Sequence, residues 1–122
     1  MEFNQYNTTV QQWIHTVLEN RETNADVVLE CCRDIIAYGR ETDDPKLMGF
    51  GFFYGGEIYY ELNDGAHFFH MMTEALTYLD RAEEWELVVR CYNFLGIASM
   101  SRGNPSLALD YYMNGLKDSD TY

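Results

Sequence analysis

Shifted against itself by 40 residues, the second half of this chain falls on the same kinds of residue. Phe52 meets Tyr92, Gly56 meets Gly96, Asp64 meets Asn104, Met72 meets Tyr112, and Leu76 meets Leu116. Self-similarity at a period of 20 to 50 residues marks an architecture of stacked supersecondary units. A single unit cannot bury its apolar face, so each needs a neighbour, and the stack presents an extended surface suited to binding.

The residues between the matched positions read as helix and short turn throughout. Val10, Trp13, Ile14, Val17 and Leu18 form a helical stripe, with Thr8 and Gln11 placed as a capping box ahead of it. Asn24 is a cap for a second helix carrying Val28, Cys31, Cys32, Ile35 and Ile36, with Gly39 near its end. Asp44-Pro45 reads as N-cap and first helical residue, since proline has no N–H to lose there. The third helix runs from about Pro45 to Leu62 and stops at Asn63-Asp64-Gly65. A fourth carries Phe68, Phe69, Met72, Ala75, Leu76 and Leu79. The fifth begins near Glu83 and holds Leu87, Val88, Cys91, Tyr92, Leu95, Ile97 and Ala98. Arg102-Gly103-Asn104-Pro105 breaks it from a sixth with Leu107, Ala108, Leu109, Tyr111, Tyr112 and Leu116. Linkers this short imply antiparallel helix pairs, three hairpins in all.

Charge narrows the partners. Eight Lys and Arg oppose 20 Asp and Glu, a formal net charge of −12. Such a surface repels nucleic-acid phosphates and anionic lipid, and favours basic or mixed-charge proteins. No apolar run reaches the length of a membrane span. The start, Met1 to Gln12, lacks the basic and apolar regions of a signal peptide. Three cysteines, two of them adjacent (Cys31, Cys32), make no disulfide framework, so reduced thiols and a cytoplasmic setting are expected.

The block Val89 to Tyr122 supplies Tyr92, Leu95-Gly96, Ser99, Ala108, Tyr112 and Gly115. This pattern resembles the tetratricopeptide repeat (TPR), with Asp120 where the family has a proline in the exit turn. The block Gly49 to Ala82 matches through Phe52, Gly55-Gly56, Tyr59, Phe68, Met72 and Ala75. Phe68 is bulky where the family prefers alanine, and the longer spacing implies helices extended beyond the minimal repeat. The first pair matches only through Val28, Cys32 and Ile35, as a degenerate repeat or a cap. The resemblance implies an all-α fold, a right-handed superhelical stack of about three antiparallel hairpins over 8–44, 45–82 and 83–122. Residues Glu84 to Leu87, Cys91 to Gly96 and Asn104 to Tyr112 are also similar to N-terminal TPR sensor segments of bacterial signalling proteins that end in a GGDEF diguanylate cyclase domain. The chain has no GGDEF motif, so no cyclase activity is assigned to it.

In TPR proteins the first helix of each pair lines the groove. Carried over by position, the resemblance places Phe50, Phe53, Tyr54, Glu57, Tyr60 and Glu61 there, joined by Arg90, Asn93, Phe94, Ile97 and Ser101. An aromatic floor edged with acid suits an apolar or basic extended peptide or helix. The Lys and Asn pattern with which some TPR co-chaperones clamp a C-terminal carboxylate is absent. Gly96 and Gly56 are read as sockets for Tyr112 and Phe69. Four glycines in Gly49 to Gly56 make either a helix held by tertiary contacts or a stretch that orders around a ligand.

Rival chemistries have thinner support. His67, His70 and Glu74 share a helical face at metal-ligand spacing, but no second half of a site accompanies them. Cys31 and Cys32 read as small buried hydrophobes before a redox pair. Glu57 and Glu61 lack a nucleophile or base partner, and Glu83, Glu84 and Glu86 suit a helix N-terminus. The expectation is therefore a non-catalytic scaffold for a protein or peptide, without metal or cofactor. Its last helix carries no polar cap, which implies a piece of a longer array or a homodimer through that open end. A self-assembly module, and then a metal or redox module, are the alternatives.

Overall fold

Four of the five turns between helices share one backbone construction. In the computed structural model, which describes residues 1–121 and side chains as far as Lys117, six helices follow one another. They are α1 (Thr8–Asn20), α2 (Ala25–Glu41), α3 (Pro45–Glu61), α4 (Gly65–Arg81), α5 (Trp85–Ser101) and α6 (Pro105–Thr121). The fold is all-α, and each helix packs on the next in sequence. From α2 onward each helix has 17 residues. The four later turns hold one residue of positive φ each: Asp43 (50°), Asn63 (58°), Glu83 (58°) and Gly103 (76°). Left-handed backbone there reverses the chain within three residues. The next residue caps the following helix: Asp44 accepts from Leu47 N, Asp64 from His67 N, and Asn104 from Leu107 N. Glu84 holds the same place without a side-chain cap bond. The 40-residue repeat is thus two half-repeats of one helix and one turn.

At the first helix the capping box is displaced by one residue. Asn7, not Thr8, is the N-cap and accepts from Val10 N at 2.9 Å, while Gln11 donates to the Tyr6 carbonyl. Asparagine is the stronger cap because its carbonyl oxygen reaches the orphan N–H groups without straining the extended backbone. The Asp120 substitution expected in the exit turn lies outside the described side chains.

Helix α3 is buried on every side, and its glycines explain how. A methyl placed on Gly51 would lie 2.6 Å from Ile36 Cγ1 and 3.0 Å from the Cys32 carbonyl oxygen of α2. One placed on Gly49 would lie 2.6 Å from Leu79 of α4. Gly51 lets α2 in; Gly49, Gly55 and Gly56 let α4 in, Gly55 against the Met71 methyl. The contact pairs (Gly39 with Met48, Gly51 with Ile36, Gly49 with Leu79, Gly56 with Met72) run in opposite directions along neighbouring helices, so the pairs are antiparallel. Tertiary contact, not helix propensity, holds this segment. We expect Gly51→Ala to lower the unfolding free energy by about 1–2 kcal/mol. Overpacking costs about 1–3 kcal/mol, which outweighs the roughly 0.5–1 kcal/mol gained in helix propensity. A denaturant midpoint measurement reads the difference, and an unchanged midpoint would mean that α2 stands further off.

Between α5 and α6 the expected socket is present: a methyl on Gly96 would lie 2.7 Å from Tyr112 Cε1. Its counterpart is corrected. Gly56 faces Met72 and Met71, whereas Phe69 packs on Phe68 and lies beneath the Arg102 guanidinium at 4.6 Å. No described helix is long and apolar enough to cross a membrane.

Candidate partner-binding face

Helices α1, α3 and α5 share one face, and its centre is a charged bridge. Arg21, at the C-cap of α1, donates to Glu57 of α3 through Nε at 2.8 Å and Nη2 at 2.6 Å. Arg90 of α5 reaches the same carboxylate from the opposite side, Nη2 to Oε2 at 3.4 Å. Each guanidinium also lies over an aromatic ring, Arg21 on Tyr54 at 5.0 Å and Arg90 on Phe53 at 4.8 Å. Donation to the Glu57 carboxylate raises the Arg21 pKa above its ordinary value despite partial burial. A bidentate arginine–carboxylate pair fixes both direction and register, so the bridge sets how α1 and α5 stand beside α3.

That bridge closes most of the expected aromatic floor. Phe50 and Phe53 are 1% and 0% exposed, and Tyr54 is 6% exposed. They are core residues and cannot form the open floor of a groove. The lids are identifiable. Phe3, from the segment before α1, sets its ring edge on Phe50 at 5.2 Å, and Lys46 donates to the Glu2 carbonyl and lies over Phe3. Phe94 covers Phe53 at 6.0 Å and also packs on Tyr60 at 5.4 Å and Phe68 at 6.4 Å. Glu57, expected as a groove residue, is 9% exposed and held by the two arginines.

What remains accessible is narrower. Glu61, Asn93, Ile97 and Ser101 are exposed; Tyr60, Arg90 and Phe94 are half-buried. Arg90, Asn93, Phe94 and Ile97 follow one another at spacings of three, one and three residues along α5, so a strip of this helix is the open part of the face. Two clefts flank the bridge. One, of about 450 Å³, lies between the α1–α2 turn and the end of α3 and includes Arg21, Glu22, Glu57, Glu61, Leu62 and Phe94. The other, of about 230 Å³, includes Phe3, Leu18, Tyr54, Glu84, Glu86 and Arg90. Sequence reasoning missed Arg21 and Phe3. An arginine just past a helix end and one phenylalanine in a polar leader carry no periodic signal.

The rival sites are occupied by ordinary structure. His67 stacks on Tyr59 at 4.8 Å, and its Nδ1 lies 2.7 Å from the Asp64 carboxylate; the His67 backbone N–H donating to that carboxylate, and then the ring contact, hold the Asp64 pKa below its usual range. His70 turns its ring edge to Phe52 at 6.4 Å. Among the described residues no three His, Cys, Asp or Glu side chains are grouped to hold a metal. All three cysteines are free; Cys32 and Cys91 are buried, Cys31 partly. Burial pushes the Cys91 thiol from its ordinary 9.0 up to about 12, and raises those of Cys32 and Cys31. Raised folded-state values favour the neutral thiol, so their contribution to stability is complete below pH 9 and lost as pH rises towards 12. We expect the melting temperature to fall through that range. A thiol reagent should find Cys31 first and the other two only after unfolding; fast native labelling of Cys91 would contradict the packing of α5.

Comparison with protein-family models, with curated proteins and with solved structures finds no match to this chain.

Proposed function

We propose that the chain is a non-catalytic helical-hairpin scaffold of the TPR type, a right-handed superhelical stack that binds a protein or peptide. The odd-numbered helices are its binding face. The observation that carries this reading is the open strip of α5 beside a cleft, on a face that the Arg21–Glu57–Arg90 bridge keeps in fixed geometry. A preorganised face reduces the ordering cost of binding. The resemblance of residues 84–112 to sensor segments supports placing it as the docking region of a cytoplasmic bacterial signalling protein with its GGDEF output domain outside this sequence. Free thiols suit that compartment. Panning a diverse peptide library on the folded chain tests the reading, beside an Asn93→Ala/Ile97→Ser variant, because both residues are exposed. Enrichment that the variant loses is expected; no enrichment, or enrichment the variant keeps, would overturn it.

One observation favours self-assembly as a second reading. Leu109, Met113 and Leu116 stand on one stripe of α6 at 60%, 59% and 62% exposure. Large contiguous apolar surface marks association. One full repeat earlier the counterparts of Leu109 and Leu116, Phe69 and Leu76, are packed against the core, while that of Met113 is the exposed Thr73. If that stripe pairs two copies, Leu109→Glu/Met113→Glu should convert a concentration-dependent dimer to monomer by light scattering. A monomeric wild type at all concentrations would remove this reading.

A further inference from the structure

The larger cleft is chemically asymmetric. Inside it, Arg21 is neutralised by the carboxylate of Glu57, which it grips with two hydrogen bonds. Glu22 on one wall and Glu61 on the other are exposed and enter no ion pair among the described residues. No Lys and no second Arg lines the cleft. With Arg90 counted on the shared Glu57 carboxylate and Glu22 close enough to act on Arg21, two arginines stand against Glu22, Glu57 and Glu61, so the cleft keeps an acidic excess on a protein whose net charge is already −12. Beside it lie the half-buried ring of Phe94 and the exposed side chain of Leu62, at 55%. Ile97, 43% exposed, follows Phe94 by less than one turn of α5.

We propose that this cleft receives a lysine or arginine side chain of a partner peptide, whose neighbouring apolar residue rests on Leu62, Phe94 and Ile97. The inference rests on the reading of the chain as a peptide-binding scaffold and names the chemistry of its partner. A cation entering between Glu22 and Glu61 gains from two carboxylates. Glu57 cannot be drawn away to it, because two arginines hold that carboxylate in place. The cation is thus stopped at the mouth, with its stem along the apolar shelf. An acidic partner would meet Glu22 and Glu61 with like charge and is disfavoured.

The test is fluorescence anisotropy with the full chain and a labelled probe peptide in which lysine alternates with leucine. A matched probe carries glutamate for lysine. Glu22→Gln/Glu61→Gln is compared with Glu30→Gln/Asp34→Asn, which changes the net charge equally but on the exposed surface of α2, away from both clefts. All four side chains lie at the surface or partly so, and circular dichroism checks that both variants fold. We expect the lysine probe to bind, the glutamate probe not to, and the first variant to lose at least about tenfold in affinity while the second stays within about twofold. Equal loss in both variants means general attraction to an acidic protein and overturns the cleft assignment. Equal retention in both overturns it as well. If the lysine probe fails to bind while library panning still yields peptides, the cation assignment is wrong and the scaffold reading stands. If neither binds, both fall.

Discussion

Truncating Phe53 to alanine is expected to cost about 3–5 kcal/mol of stability, the usual range for emptying a fully buried aromatic site. The ring is 0% exposed, meets Tyr54 and Phe94 edge-on at 5.0 and 6.0 Å, and carries the Arg90 guanidinium at 4.8 Å. Removing it leaves a void at the centre of the most buried helix and takes away the surface on which Arg90 rests. Domains of this size are commonly stable by about 5–15 kcal/mol, so the variant should be severely weakened and can be largely unfolded at 37 °C. Urea unfolding followed by far-UV circular dichroism measures the loss. A cost below about 1 kcal/mol would mean that Phe53 is open to solvent, as its position in the repeat suggests. The consequence for function is direct: binding lost with Phe53→Ala reports unfolding and says nothing about a groove.

The second large effect is expected at the bridge, and its ordering is more telling than its size. Glu57→Gln leaves two guanidinium groups against a neutral amide and should cost about 1.5–3 kcal/mol. That is less than the 3–5 kcal/mol of a fully buried pair, because Arg21 and Arg90 are 29% and 36% exposed and solvent screens them in part. Arg21→Met should cost less than Glu57→Gln, since it strands one charge in place of two. Arg90→Met should cost least: its single bond to Glu57 is long, at 3.4 Å, and methionine keeps contact with the Phe53 ring. A double-mutant cycle between Arg21 and Glu57 should give a coupling of about 1–2 kcal/mol. Equal costs at all three positions, or no coupling, would mean that the bridge does not tie α1 and α5 to α3.

The helices were legible because their signals are local. Asp44-Pro45, Asn63-Asp64-Gly65 and Arg102-Gly103-Asn104-Pro105 mark turns by backbone chemistry alone, and the turns fall there. Gly96 against Tyr112 was legible for the same reason, as a small residue matched to a large one at fixed spacing. The site was less so. The TPR resemblance would place Phe50, Phe53 and Tyr54 on a binding surface, but their burial depends on Phe3, Arg21, Arg90 and Phe94, which arrive from elsewhere in the chain. No periodicity within α3 encodes those lids. Glu57 shows the limit most clearly. One face and one spacing relate it to Glu61, yet Glu57 is enclosed by two arginines and Glu61 is exposed. The difference is made by Arg21, 36 residues away in the chain.

The most direct test of the scaffold reading is to map where a library-selected peptide sits, by amide chemical-shift perturbation on the isotopically labelled chain. The account predicts the largest shifts at Glu22, Glu61, Leu62, Asn93, Phe94 and Ile97, with the far surface of α2 unmoved. Shifts confined to Leu109, Met113 and Leu116 of α6, or scattered over all six helices, would contradict it.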